Sequence, residues 1–251
     1  MARILRSESS LGRRQAAIAR ELRWQTLIRT VVWSVVLFSA VAFARQAFLS
    51  RTPLPLAGAG VLAALGIGYE LHLREIKVEA RNLEGGRRGE HRMAELLAEQ
   101  LAQDHVILND LELRVAHERG QIDHLVLAPS GIYILESKYW AGTLTGGVQD
   151  AQWTQKRKHG LPRLVKSPVA QCERQRRMFI SLFHTGVADD RVYAMAVFTH
   201  PGVTLHISGG DAHVFRTREA IQFINARCFD PPVLTAEQIT ALAEEVARHQ
   251  G

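Results

Sequence analysis

Residues 121–138, with the sequence QIDHLVLAPSGIYILESK, hold two apolar runs on either side of a tight-turn sequence. The first run, QIDHLVL, and the second, IYILESK, have the length and the β-branched content of strands, and the Pro-Ser-Gly sequence between them favours a turn. The two runs therefore predict a β-hairpin. In that hairpin Asp123, near the start of the first strand, lies close to Glu136, near the end of the second.

Side chains alternate between the two faces of a strand, which places Glu136 and Lys138 on the face that also carries Ile132 and Ile134. A charge at the end of an apolar strand is costly to desolvate unless it is paired or binds a metal ion. Two carboxylates and one ammonium at a sheet edge can serve phosphoryl transfer, because carboxylate oxygens suit Mg²⁺ or Mn²⁺ and a lysine can stabilise developing charge. The alternative is that Glu136 and Lys138 are a solvated pair where the strand leaves the core.

The sequence around this hairpin alternates between helical and β-type patterns. A helix over residues 71–83 is expected to end at Gly85-Gly86, and an amphipathic helix is expected to begin at Gly89-Glu90. Two short strands, 106–108 and 111–115, precede the hairpin. Three later strands are expected at 192–198, 203–207 and 213–215. Three later helices are expected to begin at Ser167-Pro168, Thr217 and Thr235. This order predicts an α/β or α+β domain.

The cysteine content excludes some classes of site. The chain of 251 residues has only two cysteines, Cys172 and Cys228, with neither a CxxC spacing nor a histidine at ligand spacing. A structural zinc site and a disulfide framework are therefore not expected, and a reducing compartment is the expected environment.

A basic region follows the hairpin, since residues 153–178 carry eight Lys and Arg against Glu173 alone. This charge density favours contacts with nucleic-acid phosphates, which are largely independent of sequence, and a tryptophan is available for stacking on a base. The residues predicted to make these contacts are Trp153, Lys156, Arg157, Lys158, Arg163, Lys166 and Arg174. The alternative is a solvated basic helix without a ligand.

Two uncharged apolar runs, residues 30–44 and 52–69, precede the soluble part. A membrane-spanning helix needs roughly 20 apolar residues, which the second run nearly supplies. The first run reaches that length if Leu27 and Ile28 are included and Arg29 extends to the headgroups. Because the linker between the runs is short, they predict a transmembrane hairpin of two helices.

The distribution of positive charge predicts the orientation of that hairpin. Residues 1–29 carry seven Arg against two Glu, and five Lys and Arg lie between residues 70 and 88, whereas the connecting loop has only Arg45 and Arg51. The positive-inside rule therefore places both ends in the cytoplasm. Two alternatives stay open: the first run is a signal peptide cleaved near Ala40-Val41-Ala42, or both runs are buried helices of a soluble domain.

Several short motifs occur in the order found in a known family. They are Gly89-Glu90, Asn109-Asp110, QIDH at 121–124, ILESK at 134–138, Gly142 with Gly146, Trp153, and Ser167-Pro168-Val169 with Gln171. On these residues, from about Glu84 to Phe183, the chain resembles the nuclease-related domain (NERD) family of the PD-(D/E)xK nuclease superfamily. The resemblance implies a restriction-endonuclease-like fold with a four-stranded mixed sheet, and Mg²⁺-dependent cleavage of nucleic-acid phosphodiesters.

The resemblance also implies roles for five residues of this chain. Asp123 and Glu136 are the expected metal ligands, and Lys138 is the expected catalytic lysine. Glu90, at the start of the first helix, is expected to support the metal or its water. Gln171 is expected to be the polar residue that the later helix presents to the site.

These observations divide the chain into four parts: a basic N-terminal segment at 1–29, a transmembrane hairpin at 30–69, a helical linker at 70–83 and a nuclease domain at 84–251 with its motif-bearing core at 84–183. The expected protein is a two-pass membrane protein whose cytoplasmic domain hydrolyses nucleic acid, with Mg²⁺ or Mn²⁺ as cofactor. The family resemblance favours DNA over RNA as the substrate. Two alternatives are a catalytically weak or inactive nucleic-acid-binding module on the membrane, and a membrane scaffold that binds a protein partner.

Overall fold

The computed structural model describes residues 3–5, 10–158, 160–183, 185–209 and 213–250. The chain separates into two compact units. One is Ser10–Glu84, and the other combines Met1–Ser9 with Gly85–Gly251. Part of the predicted basic N-terminal segment therefore lies outside the described residues.

The unit Ser10–Glu84 is a pair of antiparallel helices, α1 (Ser10–Ser50) and the first part of α2 (Leu54–Gln100). The helices are joined near one end by polar contacts: the Tyr69 hydroxyl donates to Gln25 Oε1 at 2.5 Å, and Arg29 Nε donates to Glu70 Oε1 at 2.5 Å. Trp33 Nε1 donates to the same oxygen of Glu70 at 2.9 Å. The polar residues thus gather at one end of a hairpin whose middle is apolar.

Two helices of the described residues are long and apolar enough to cross a membrane, over Leu27–Ser50 and Pro55–Gln100. The apolar stretch of the first is wholly exposed, and that of the second is buried over only 11%. Large exposed apolar patches mark sites of interaction with a membrane or a partner. Neither run is mostly buried in this structure, as a core helix of a soluble domain would be.

The other unit contains ten strands in its described residues. In chain order they are β1 (Arg3–Leu5), β2 (Val106–Val115), β3 (Glu118–Ala128), β4 (Gly131–Lys138), β5 (Gly142–Gly147), β6 (Gln152–Lys156), β7 (Arg163–Lys166), β8 (Val192–Phe198), β9 (Val203–Ser208) and β10 (Val214–Arg216). The remaining helices are α3 (Pro168–Leu182), α4 (Thr217–Ala226) and α5 (Ala236–Arg248). Two short 3-10 turns, Asp189–Arg191 and Arg227–Phe229, complete the described elements.

The strands form two mixed sheets. The larger has the order β1-β2-β3-β4-β8-β10, with β2, β3 and β4 antiparallel and the other pairs parallel. The smaller has the order β7-β6-β5-β9. The predicted mixed α/β architecture and the predicted hairpin of β3 and β4 are confirmed, whereas the expected sheet of four strands is wrong. Strand β9 of the smaller sheet matches the predicted strand 203–207, but β5, β6 and β7 escaped prediction. Sequences such as GTLTGG and QWTQK are polar or rich in glycine and lack a strong apolar alternation.

Helices cover both faces of the larger sheet. One face packs against α3 and α5 through a core that includes Leu125, Phe179 and Leu242. The other packs against the end of α2 and against α4, through Met93 and Ile221 among others. Residues 125–128 of β3 and 132–135 of β4 alternate between these two cores, as the period of a strand requires. The alternation also decides which polar residues at the strand ends lie on the α3 side.

Two of the predicted helix starts are confirmed. α3 begins at Pro168 directly after Ser167. At the start of α5, Thr235 and Gln238 form a reciprocal capping box, in which the Thr235 hydroxyl accepts from the Gln238 N–H and the Gln238 side chain accepts from the Thr235 N–H. Thr217 is the first residue of α4 and not its cap, because Arg216 occupies the capping position.

The predicted helix break at Gly85-Gly86 and new helix start at Gly89-Glu90 are wrong, because α2 is continuous from Leu54 to Gln100. Gly85 and Gly89 serve close packing instead. A Cβ atom at Gly85 would lie 2.6 Å from Tyr139 Cδ1, and one at Gly89 would lie 2.3 Å from Thr199 Oγ1. The two glycines, one helical turn apart, therefore let α2 approach the segments that follow β4 and β8, where the candidate site lies.

Candidate active site

Asp123 and Glu136 lie opposite each other on β3 and β4. The register pairs His124 with Leu135, so the next pair outward is Asp123 with Glu136. The backbone N–H of Ser137 donates to Asp123 Oδ2 at 2.7 Å. This contact holds the Asp123 carboxylate against the end of β4, and the predicted proximity of the two acidic residues is present in the structure.

Lys138 lies beside Glu136 on the same face of β4, as strand alternation predicts. Its Nζ donates to Glu136 Oε1 at 2.5 Å and to Gln171 Oε1 at 3.0 Å. Glu136 Oε2 accepts from Gln175 Nε2 at 2.6 Å. Helix α3 thus presents two glutamines, one helical turn apart, to the ion pair at the end of β4.

Glu90 reaches the same group of charges from α2. Burial raises the pKa of Glu90 to about 7, and the negative charges of Asp110 and Glu136 add to that effect while Lys138 opposes it. All five residues with predicted catalytic roles therefore belong to one electrostatic cluster: Glu90, Asp123, Glu136, Lys138 and Gln171. Their roles remain predictions.

Asp110 is a fourth acidic residue of the cluster that the sequence analysis did not assign to the site. The β2–β3 register pairs Asn109 with His124 and Leu111 with Ile122, so Asp110 lies opposite Asp123. The backbone of Asp110 has φ +59°, a left-handed conformation that aspartate tolerates better than most residues. The Gln121 side-chain amide donates to the Asp110 carboxylate.

Carboxyl groups crowd together in this cluster, which disfavours their ionised forms. Burial raises the pKa of Asp123 well above its ordinary value, and the carboxylates of Glu136 and Glu90 raise it further. Burial lowers the pKa of Lys138, but Glu136 and Asp123 outweigh that effect and raise it, so the ammonium form is retained. Four carboxyl groups in this cluster thus share one neighbouring ammonium group.

This donor set fits a hard divalent cation by its chemistry, because an added positive charge would relieve the mutual repulsion of buried carboxylates. Among the described residues, however, no group of three or more His, Cys, Asp or Glu side chains is arranged to hold a metal ion. Both oxygens of Glu136 accept hydrogen bonds, from Lys138 and from Gln175, and Asp123 Oδ2 accepts one from Ser137. A carboxylate oxygen that accepts one hydrogen bond keeps a second lone pair, which a cation can use as a ligand.

Behind the site, His124 is a packed core residue. Its Nδ1 lies 2.7 Å from Asn109 Oδ1 and its Nε2 lies 3.2 Å from Ser137 Oγ. Burial lowers the pKa of His124 to about 3, so the ring is neutral at physiological pH. The imidazole therefore links β2, β3 and β4. It contacts Ser137, whose backbone N–H donates to Asp123.

The residues predicted to bind nucleic acid lie on several elements and not on one basic helix. Lys156 is on β6, Arg163 and Lys166 are on β7, Arg157 and Lys158 follow β6, and Arg174 is on α3. Arg174 donates to Glu118 Oε2 at 3.1 Å and to the Arg119 carbonyl at 2.8 Å. Its charge is therefore partly used within the domain.

Trp153 is a core residue, which corrects the expectation that it stacks on a base. Only 1% of its surface is exposed, and its indole N–H donates to the Gly147 carbonyl at 2.8 Å. The ring packs in the core of the smaller sheet with Phe198 and Cys172. A base cannot reach a ring that is enclosed in this way.

Gln175 is a second residue of the site that the sequence analysis missed. It is 3% exposed and contacts Glu136 directly. Its spacing of four residues from Gln171 was a usable signal, because residues four apart lie on one face of a helix. Asp110 offered a weaker signal, since the sequence predicts a break between the strands 106–108 and 111–115, whereas β2 continues through residues 109 and 110.

The structure thus brings together an Asp on one strand, a Glu-x-Lys on its neighbour and a Glu on a helix. Residues 85–199 match the family model of the nuclease-related domain, which belongs to the PD-(D/E)xK-like nuclease superfamily. An uncharacterized protein of Bacillus anthracis is 28% identical over 71 residues, which are 28% of this chain and 34% of the relative. The chain therefore matches about a third of that relative's length. No solved structure gives a significant match.

Proposed function

We propose that this chain is a membrane-anchored, metal-dependent nuclease that hydrolyses phosphodiester bonds of nucleic acids, and of DNA in preference to RNA. One observation carries the proposal: Glu90, Asp123, Glu136 and Lys138 come from three separate elements and meet in one buried cluster of a nuclease-related domain. The preference for DNA rests on the family alone.

Asp123 and Glu136 would hold a Mg²⁺ or Mn²⁺ ion, with Glu90 as a supporting acid. When bound, such an ion polarises a phosphate and lowers the pKa of a coordinated water. The protein's own residues orient the ligands: the Ser137 N–H fixes Asp123, and Gln175 fixes Glu136.

Lys138 would stabilise the negative charge that develops on the phosphate in the transition state. Gln171 Oε1 accepts from the Lys138 ammonium at 3.0 Å and so helps to hold that group in place.

The membrane anchor of the proposal rests on α1 and α2. Strand β1 precedes both helices and pairs with β2, which follows them. Two segments that pair in one sheet lie on the same side of a membrane, which favours two crossings. The charge bias favours the cytoplasmic side. A reporter enzyme fused after Gly251 is therefore expected to be active only in the cytoplasm, and activity confined to the outside would refute this orientation.

A cleavage assay on the full-length chain in detergent tests the nuclease activity. We expect wild-type protein to nick plasmid DNA with Mg²⁺ or Mn²⁺ and to lose activity with EDTA. Lys138→Ala is expected to lower the rate by about 100-fold or more, because it removes a preorganised charge from the transition state. Arg218→Ala, which removes an exposed charge on α4, is the control and should retain the rate. Activity that survives Lys138→Ala would remove the assigned site.

A second candidate function is nucleic-acid binding without cleavage. The observation in its favour is that both oxygens of Glu136 are engaged by Lys138 and Gln175. The same assay separates the two functions. Salt-sensitive DNA binding without metal-dependent nicking would favour the binding module.

A further inference from the structure

Two exposed leucines distinguish the hairpin formed by β6 and β7 from the rest of its unit. In the described part of Gly85–Gly251, four large apolar side chains are exposed: Tyr139, Leu161, Leu164 and Phe229. Leu161 is 91% exposed and Leu164 is 69% exposed. They lie three residues apart, at and beside the turn that joins β6 to β7.

The backbone register explains why Leu164 points away from the core. Its neighbour Val165 pairs with Trp153 and packs against the core of the smaller sheet. Because side chains alternate along a strand, Leu164 lies on the opposite, outward face, which it shares with Lys166. The outward leucine therefore lies beside a cation on an edge strand of the sheet.

The hairpin is basic throughout. Its exposed or half-buried cations are Lys156, Arg157, Lys158, Arg163 and Lys166, and no Asp or Glu occurs from residue 151 to residue 172. Five cations around two apolar side chains suit a ligand that has both negative charges and an apolar surface. Nucleic acid has both, because its phosphates are negative and the faces of its bases are apolar.

The hairpin also adjoins the candidate active site through both of its strands. Gln155 Nε2 donates to the Ala141 carbonyl at 2.8 Å, and Ala141 follows Lys138 by three residues. On the other side, β7 leads directly into α3, where Gln171 contacts Lys138. Three residues of chain span at most about 11 Å, so the part of the hairpin that contacts Ala141 lies close to Lys138.

We propose that Leu161 and Leu164 form a wedge that inserts at an opened base step while the surrounding cations bind the flanking phosphates. Unstacking a step is costly in continuous duplex and costs less where bases are already unpaired. The wedge thus directs the domain to nucleic acid with an interrupted stack, such as a bubble, a gap or a junction. This inference rests on the proposed nucleic-acid function but requires binding alone.

Equilibrium binding of the full-length chain in detergent tests the wedge without cleavage, in EDTA. The two probes are a continuous DNA duplex and the same duplex with a two-nucleotide bubble that carries 2-aminopurine. We expect the bubble to bind about tenfold more tightly and the 2-aminopurine fluorescence to change on binding. In Leu161→Ser/Leu164→Ser the preference is expected to fall to about twofold or less.

Phe229→Ser is the matched control, because Phe229 is 89% exposed. Phe229 also lies away from the candidate site: its neighbour Asp230 pairs with Arg191 near the start of β8, and Lys138 lies beside the other end of that strand. This variant should keep the full preference. A wild-type protein that binds both probes equally, or a preference that survives the double substitution, would overturn the wedge. Loss of cleavage in the plasmid assay with an intact bubble preference would instead refute only the nuclease activity.

A lipid surface is the competing occupant of a basic hairpin with exposed leucines, and a second measurement separates the two. Leu161→Cys in a Cys228→Ser background places an environment-sensitive dye at the tip, since the other cysteine, Cys172, is buried. With the chain in nanodiscs of anionic lipid, the wedge predicts a blue shift only when DNA is added. A blue shift already complete without DNA would assign the hairpin to the membrane and refute the proposal.

Discussion

Asp123→Asn is expected to lower metal-dependent cleavage by about 1,000-fold or more, because a bound metal ion supplies several kcal/mol of transition-state stabilisation. The substitution keeps the shape of the side chain and an oxygen that can accept from the Ser137 N–H. It removes only the charge that the proposed metal ion needs. Initial rates on plasmid DNA at saturating Mg²⁺ and Mn²⁺ measure this effect.

The same substitution is expected to stabilise the domain when no divalent cation is present. Burial and the neighbouring carboxylates raise the pKa of Asp123, so folding costs free energy whenever the side chain is ionised in the unfolded chain. Because folding raises the pKa of Asp123, this residue costs the folded domain no stability below the pKa of an unfolded aspartate, about 3.9. The folded domain loses stability as the pH rises above that value. The melting temperature of Asp123→Asn in EDTA should therefore match wild type near pH 4 and exceed it at pH 8.

Divalent cations should reverse this order of melting temperatures. A metal ion that binds the folded state raises its stability by mass action, so Mg²⁺ or Mn²⁺ is expected to raise the wild-type melting temperature more than that of Asp123→Asn. Asp150→Asn is the matched control, because Asp150 Oδ2 also accepts one backbone N–H, from Gly147 at 2.7 Å, but Asp150 is exposed. Equal metal-induced shifts in wild type and Asp123→Asn would show that Asp123 is not a ligand.

The residues of this site that were predictable from sequence are those fixed by local geometry. Strand alternation and a balanced hairpin suffice to bring Asp123, Glu136 and Lys138 together, because the register of a short hairpin is set by its turn. The same alternation places His124 on the opposite face, in the core. No long-range information was needed for any of these positions.

The residues that escaped prediction depend on how distant elements pack. Gly85 and Gly89 resemble helix breakers in sequence, and only the positions of Tyr139 and Thr199 explain why they lie within a continuous helix. Exposure is equally non-local. Trp153 lies in a basic stretch, yet the core of the smaller sheet encloses it.

Gly142 illustrates the same limit in the backbone. It has φ +90°, and a Cβ atom there would lie 2.3 Å from the Lys156 carbonyl oxygen. The chain leaves β4 and enters the smaller sheet at this point, so the path from the candidate site to the basic hairpin depends on a glycine. A lone glycine in a sequence does not reveal which distant carbonyl it must accommodate.

Gly146→Ala is expected to be a strongly destabilising single-methyl change in the domain. The added Cβ would lie 2.4 Å from Trp153 Cδ1 and 2.9 Å from Trp153 Cγ. The indole cannot move away easily, because it is buried and its N–H is bonded to Gly147. We expect a loss of about 3 kcal/mol or more in the free energy of unfolding, at the upper end of overpacking costs, measured by chemical denaturation.

A double-mutant cycle shows whether this loss arises from the indole. Trp153→Leu alone should cost several kcal/mol, because it leaves a cavity, while Gly146→Ala in the Trp153→Leu background should cost much less than it does in wild type. Additive costs would contradict the predicted clash. DNA affinity per folded molecule should be unchanged in Trp153→Leu, since the ring is enclosed. If Trp153→Leu instead kept full stability but bound DNA more weakly, Trp153 would be a surface residue that contacts DNA, and its assignment to the core would be wrong.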